Sequence, residues 1–140
     1  MIRRCAVLCC AAGLSLSLAA CSSMSFGTLD SGTAPSLAGK TFVLADAEGE
    51  FVPTITFGQD GKASGFAGCN RLAGTVAIDG KKADFSKLGM TRMMCSPDQM
   101  KAEDAFTGAL ARTAYATEDD GRLTLWDLQG DKLLTMTLKP

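Results

Sequence analysis

Three Asp-Gly pairs, Asp60-Gly61, Asp79-Gly80 and Asp120-Gly121, punctuate the chain between short runs of strand-forming residues. Asp-Gly supplies the positive φ that two-residue hairpin turns demand, so each pair predicts a β-hairpin. The runs are 41–44 and 54–57 ahead of the first turn and 62–67 after it. An irregular 68–72 follows, then 75–78 into the second turn. Runs 114–118 and 123–126 flank the third. Gln129-Gly130-Asp131 forms a fourth turn leading into 133–138. Leu123 and Leu125 alternate with Thr124 and Trp126, and Leu134, Met136 and Leu138 with Thr135 and Thr137. That period of two marks strands with one buried face. Trp126 is thereby expected on an outer face or at the rim of a cavity.

One segment breaks this rhythm. Ser96-Pro97-Asp98-Gln99 combines an N-cap serine, proline at the first helical position and a glutamine placed to close a capping box. Ala102, Phe106, Ala109, Leu110 and Thr113 then recur as one apolar stripe. Lys101, Asp104, Thr107, Gly108 and Ala111 take the opposite side. The spacing predicts a helix from Pro97 to about Arg112. Such a helix must bury its stripe, and the concave face of a curved antiparallel sheet is the available surface. The fold class is therefore α+β, mainly β.

The N-terminus reads as an address. Arg3 and Arg4 precede an uncharged apolar stretch from Cys5 to Ala20, which ends in Leu18-Ala19-Ala20-Cys21. A basic start, an apolar core and small residues at a cut site are the parts of a secretory signal. At sixteen residues the stretch is short for a membrane-spanning helix, which needs about 20. Its ending resembles the bacterial lipobox, in which the cysteine is acylated and becomes the new N-terminus. The expected organisation is a signal peptide over 1–20, a flexible tether over 21–36 starting at lipidated Cys21, and one domain over 37–140. Cys5, Cys9 and Cys10 are removed with the signal. The tether, rich in Ser, Gly and Thr, has a root-mean-square reach of roughly 20 Å. Ser22 after the cysteine resembles lipoproteins sent to the outer membrane, with the domain facing the periplasm.

Charge and chemistry narrow the function. Without Arg3 and Arg4, the 14 basic residues become 12, against 15 acidic ones. A small negative balance spread along the chain gives no reason to expect nucleic acid. The chain has no histidine, so the commonest general base and the commonest metal ligand are both missing. Ser22 and Ser23 have no base to activate them. Glu118-Asp119-Asp120 reads as a solvated turn, and Glu103 and Asp104 face different directions on the helix. The glycines around Gly65 and Gly68 lack the Gly-Lys-Ser/Thr ending of a phosphate loop. No cofactor, metal site or enzymatic activity is expected.

Cys69 and Cys95 remain. In an oxidising compartment a structural disulfide is favoured over a redox pair, which lacks its CxxC, and over a metal site, which lacks further ligands. Their flanks carry a resemblance. Gly65-Phe66-Ala67-Gly68-Cys69-Asn70-Arg71, with Leu88-Gly89-Met90-Thr91-Arg92-Met93-Met94-Cys95, resembles the paired GCNR and TRMxC motifs of the META domain. That family includes the heat-inducible HslJ lipoproteins of bacterial envelopes. The resemblance extends from about Leu37 to Lys139. It implies a curved antiparallel sheet, a half or cracked barrel, wrapped on one helix, and a role in stress response without an established enzymatic activity. The shape is also similar to that of pilotin lipoproteins, which hold lipid-like ligands.

Asn70, Arg71, Thr91 and Arg92 form the polar cluster that a disulfide would gather. It is either a small ligand or peptide site with two guanidinium donors, or turn chemistry at Gly68 with the arginines bracing carbonyls. The turn reading is favoured. Met90, Met93 and Met94 either line an adaptable groove or fill core gaps, the latter being the commoner use. The expected function is a membrane-anchored binding module of the envelope. Its groove, lined by Phe57, Phe66, Phe106 and Trp126, would receive an apolar ligand or a segment of an envelope protein. A purely structural stabiliser and an inhibitor of an envelope hydrolase are the alternatives.

Overall fold

The computed structural model describes residues 32–140. The signal, Cys21 and the tether up to residue 31 lie outside the described residues. The elements run β1 (Thr41–Leu44), β2 (Thr54–Phe57), β3 (Lys62–Phe66), β4 (Arg71–Asp79), β5 (Lys82–Met90), α1 (Pro97–Arg112), β6 (Tyr115–Asp119), β7 (Arg122–Trp126) and β8 (Lys132–Leu138). Every neighbouring pair is antiparallel, in sequence order, and β8 returns to pair with β1 through Val43↔Thr137. Between β5 and β6 the ladder shrinks to one residue pair, Lys82↔Tyr115. The curved sheet is thus a barrel cracked at that seam. α1 bridges the seam in sequence and packs against β5, β7 and β8.

Local chemistry accounts for most of these elements. Asp120 and Gly121 both take positive φ, 45° and 73°, as a two-residue hairpin turn with matching twist requires. The Asp60-Gly61 turn differs from expectation. Only Gly61 has positive φ, and four residues separate β2 from β3, with the Lys62 amide donating to Asp60 Oδ1 at 3.2 Å. The helix follows its signals residue for residue: Ser96 and Gln99 exchange capping-box bonds, with Pro97 at the first position. β5 had only its opening turn to announce it, because Lys82–Met90 mixes polar residues with few apolar ones. Glycine matters most in β3 and β4. A Cβ on Gly65 would lie 2.1 Å from the Thr54 carbonyl oxygen, and one on Gly74 2.1 Å from that of Lys87.

The barrel interior is filled. Phe42, Ile55, Leu123, Leu125 and Met136 are fully buried, and the Phe57 ring meets Phe42 and Phe85 edge-on at centroid distances of 6.0 and 6.4 Å. α1 contributes Phe106 and Leu110 to the same cluster, each side chain stabilising by about 1.5–3 kcal/mol on burial. Leu37 joins from the N-terminal side. Upstream of it, Thr33 exchanges backbone bonds with Glu118 at 3.1 and 3.0 Å. The Glu118 carboxylate takes the Ser36 amide at 3.0 Å and pairs with Lys40 at 2.5 Å. Glu118 is therefore a strand residue that anchors the entering chain, not part of a solvated turn. The folded domain accordingly reaches upstream of the expected boundary at residue 37.

Candidate functional site

The loop between β3 and β4 and the segment after β5 meet at the N-terminal half of α1. Gly68, buried with φ 113°, places the loop against α1; a Cβ there would meet Gln99 and Glu103 backbone at 3.7 Å. Cys69 and Cys95 are joined in a disulfide with Cα atoms 6.0 Å apart. This cross-link ties the loop to the start of the helix. The expected pairing is present.

Asn70 is the centre of the cluster, and it is 2% exposed. Its side-chain oxygen accepts from the Met93 amide at 2.6 Å and the Thr91 hydroxyl at 3.0 Å. Its side-chain nitrogen donates to the Met93 carbonyl at 3.3 Å and to Glu103 Oε1 at 2.9 Å. The Asn70 amide therefore holds Met93 from both sides, as a peptide group in a neighbouring strand would. Its backbone N–H donates to Glu103 Oε2 at 2.5 Å. Thr91 completes the knot, its hydroxyl accepting from the Arg71 amide at 3.0 Å and its N–H donating to the Arg71 carbonyl at 3.1 Å.

Every polar atom of the Asn70 side chain is thus occupied within the protein. The turn-and-scaffold reading holds for Asn70 and Thr91. It fails for the arginines: Arg71 and Arg92 are exposed, and neither guanidinium has a hydrogen-bond or ion-pair partner among the described residues. They brace nothing.

Glu103 is the residue that the sequence reading missed. It is 2% exposed and uses both carboxyl oxygens on Asn70. Glu103, Phe106 and Leu110 share one helix face at i, i+3 and i+7, so an acidic residue on the apolar stripe was the available signal.

The methionines are a correction. Met90, Met93 and Met94 are 41%, 56% and 94% exposed, so they fill no core gap. The expected aromatic groove is not gathered either. Phe57 and Phe106 are packed in the core cluster, and Phe66 is half-buried at the end of β3. Trp126 is buried outside that cluster, at a register slip between β7 and β8, where its indole N–H donates to Thr117 Oγ1 at 2.9 Å. What the structure has beside α1 is a different depression of about 380 Å³, open on one side. Leu44, Phe51, Val52 and Leu134 form one wall and Ala102, Ala105 and Phe106 the other, with Phe51 half exposed. Phe106 alone of the four aromatics contributes to it.

Among the described residues, no group of three His, Cys, Asp or Glu side chains is placed to hold a metal, and no helix is long and apolar enough to cross a membrane.

A family model, META domain, matches residues 26–140. The chain belongs to the META domain family. Its two cysteine-centred motifs converge in the Asn70 knot just described. The META fold here is similar to an NMR structure of a protein from Burkholderia xenovorans, with 27% identity and a TM-score of 0.61 over 74% of this chain and 83% of that one. A second NMR structure matches at 27% identity and a TM-score of 0.56, covering 74% of this chain and 90% of that one. A crystal structure of a DUF4847-family protein from Bacteroides vulgatus, 16% identical with a TM-score of 0.52 over 73% and 92% of the two chains, shares the fold. No curated protein matches the chain.

Proposed function

We propose that this META-domain chain is a non-catalytic lipoprotein of the bacterial outer membrane, anchored through acylated Cys21 and facing the periplasm. Its working surface is the depression beside α1, which binds the acyl chain of a lipid-like ligand. The observation that carries this reading is the depression itself: about 380 Å³, walled by Leu44, Phe51, Val52, Phe106 and Leu134. That volume lies at the small end of ligand pockets, and walls that are apolar apart from Glu48 match an alkyl chain better than a polar metabolite. On the helix side Ala102 and Ala105 leave room beside Phe106, so small side chains set part of the site's width.

A fluorescent fatty acid titrated into the protein should bind saturably, and Phe51→Glu and Ala105→Trp should each abolish binding while leaving the fold intact. Binding that never saturates, or that is indifferent to both substitutions, defeats the reading. Release of the probe by an envelope protein would instead assign the depression to a partner segment. Anchoring has its own test: labelled palmitate should enter the wild-type protein and not Cys21→Ala. An inhibitor of an envelope hydrolase would need an exposed rigid loop, and Cys69 and Asn70 in the disulfide-anchored bend are buried, which weighs against that alternative.

A further inference from the structure

Met90, Met93 and Met94 stand exposed within five residues, and neither the core nor the depression uses them. Their backbone is held by other groups. Thr91 is tied to Arg71, Met93 is bonded at both its N–H and its carbonyl by the Asn70 side chain, and Cys95 is fixed by the disulfide. None of these restraints involves a thioether. The remaining described methionines differ: Met136 is 1% exposed in the core and Met100 is half-buried on α1.

We propose that Met90, Met93 and Met94 constitute an oxidation site, converted by a two-electron oxidant of the peroxide class to methionine sulfoxides while the domain stays folded. In the step, a sulfur lone pair attacks one peroxide oxygen, the O–O bond breaks and an S–O bond forms. The proton on the transferred oxygen passes to the departing hydroxide, giving water. Sulfur loses two electrons and the peroxide gains them. Methionine oxidation ordinarily disrupts a core, because it turns a flexible apolar side chain polar. Here the sulfoxide oxygens enter solvent, so the cost falls on surface character alone. Three exposed apolar side chains become polar ones, and a methionine sulfoxide reductase restores them.

The full-length protein is titrated with hydrogen peroxide and followed by residue-resolved mass spectrometry alongside thermal unfolding. The expected result is oxidation of residues 90, 93 and 94 at least about tenfold faster than Met136, as exposure dictates, with the melting temperature unchanged when all three carry oxygen. The variant M90L/M93L/M94L should fold normally and lose those three oxidation events. Oxidation of Met136 in step with the triad overturns the proposal, as does a melting temperature that falls as the triad is oxidised. Resistance of the triad itself does so equally.

Discussion

Replacing Glu103 with glutamine changes one atom in the most connected part of the structure. Both carboxyl oxygens of Glu103 accept from Asn70, one from its backbone N–H and one from its side-chain nitrogen. A glutamine has one oxygen, so one of those two buried donors must face an NH₂ group. A buried donor left unsatisfied costs about 1–3 kcal/mol; adding the donor–donor contact, Glu103→Gln should destabilise by about 2–4 kcal/mol. Asn70→Asp alone should cost a similar amount, because it sets an acceptor against Glu103 Oε1 and the Met93 carbonyl. Combined, the two changes restore complementarity between positions 70 and 103. The introduced glutamine donates its NH₂ to the introduced carboxylate, and its oxygen still accepts from the backbone N–H of position 70. The double variant should therefore be more stable than the two single losses imply, by at least about 1 kcal/mol of coupling. Urea denaturation of the disulfide-intact protein measures each corner of the cycle, with unchanged m-values confirming a common unfolded state. A Glu103→Gln protein within about 0.5 kcal/mol of wild type would refute the reasoning, as that is the range of an ordinary surface change. Strict additivity of the pair would refute it equally.

Reducing the Cys69–Cys95 bond, which spans 26 residues, should lower unfolding free energy by roughly 3–4 kcal/mol, read from denaturation with and without reductant. Gly74→Ala should destabilise severely or prevent folding, since its Cβ would enter the Lys87 carbonyl; retention of the wild-type melting temperature would show that the strands can separate there. Ser96→Ala removes the helix cap and should cost about 1 kcal/mol by the same denaturation assay. The side chain and backbone of Ser86 hydrogen-bond Asp84 and hold its carboxyl below the usual aspartate range, with the Ser86 amide at 2.8 Å. Whatever stability Asp84 contributes is thus present above the ordinary aspartate pKa and lost as pH falls through the depressed one. An NMR titration should show Asp84 shifting back toward the ordinary value in Ser86→Ala.

Features encoded within a few neighbouring residues were legible before the fold was known. The helix from Pro97 to Arg112 carries its own start signal in Ser96, Pro97 and Gln99, and the Asp120-Gly121 turn specifies its own dihedrals. The cysteine pair and the cracked barrel could also be expected, the first from compartment and the second from the likeness of the cysteine-flanking motifs to a family. What remained hidden depended on partners far along the chain. Glu103 looks like a surface acid until Asn70, 33 residues away, is brought beneath it. Glu118 looks like turn decoration until Thr33, Ser36 and Lys40 come back across β6.

By itself, then, the sequence determined the local pieces: the Asp120-Gly121 turn, the capped helix, the alternating strands and the two cysteines placed to pair. The tertiary structure decided which faces those pieces turn inward. It buried Glu103 with Asn70, sent three methionines to the surface and left Phe106 beside a depression that no spacing rule announces. Short-range preferences act through bonds between near neighbours. Burial is a property of the whole barrel, because it depends on which distant side chains arrive to exclude water.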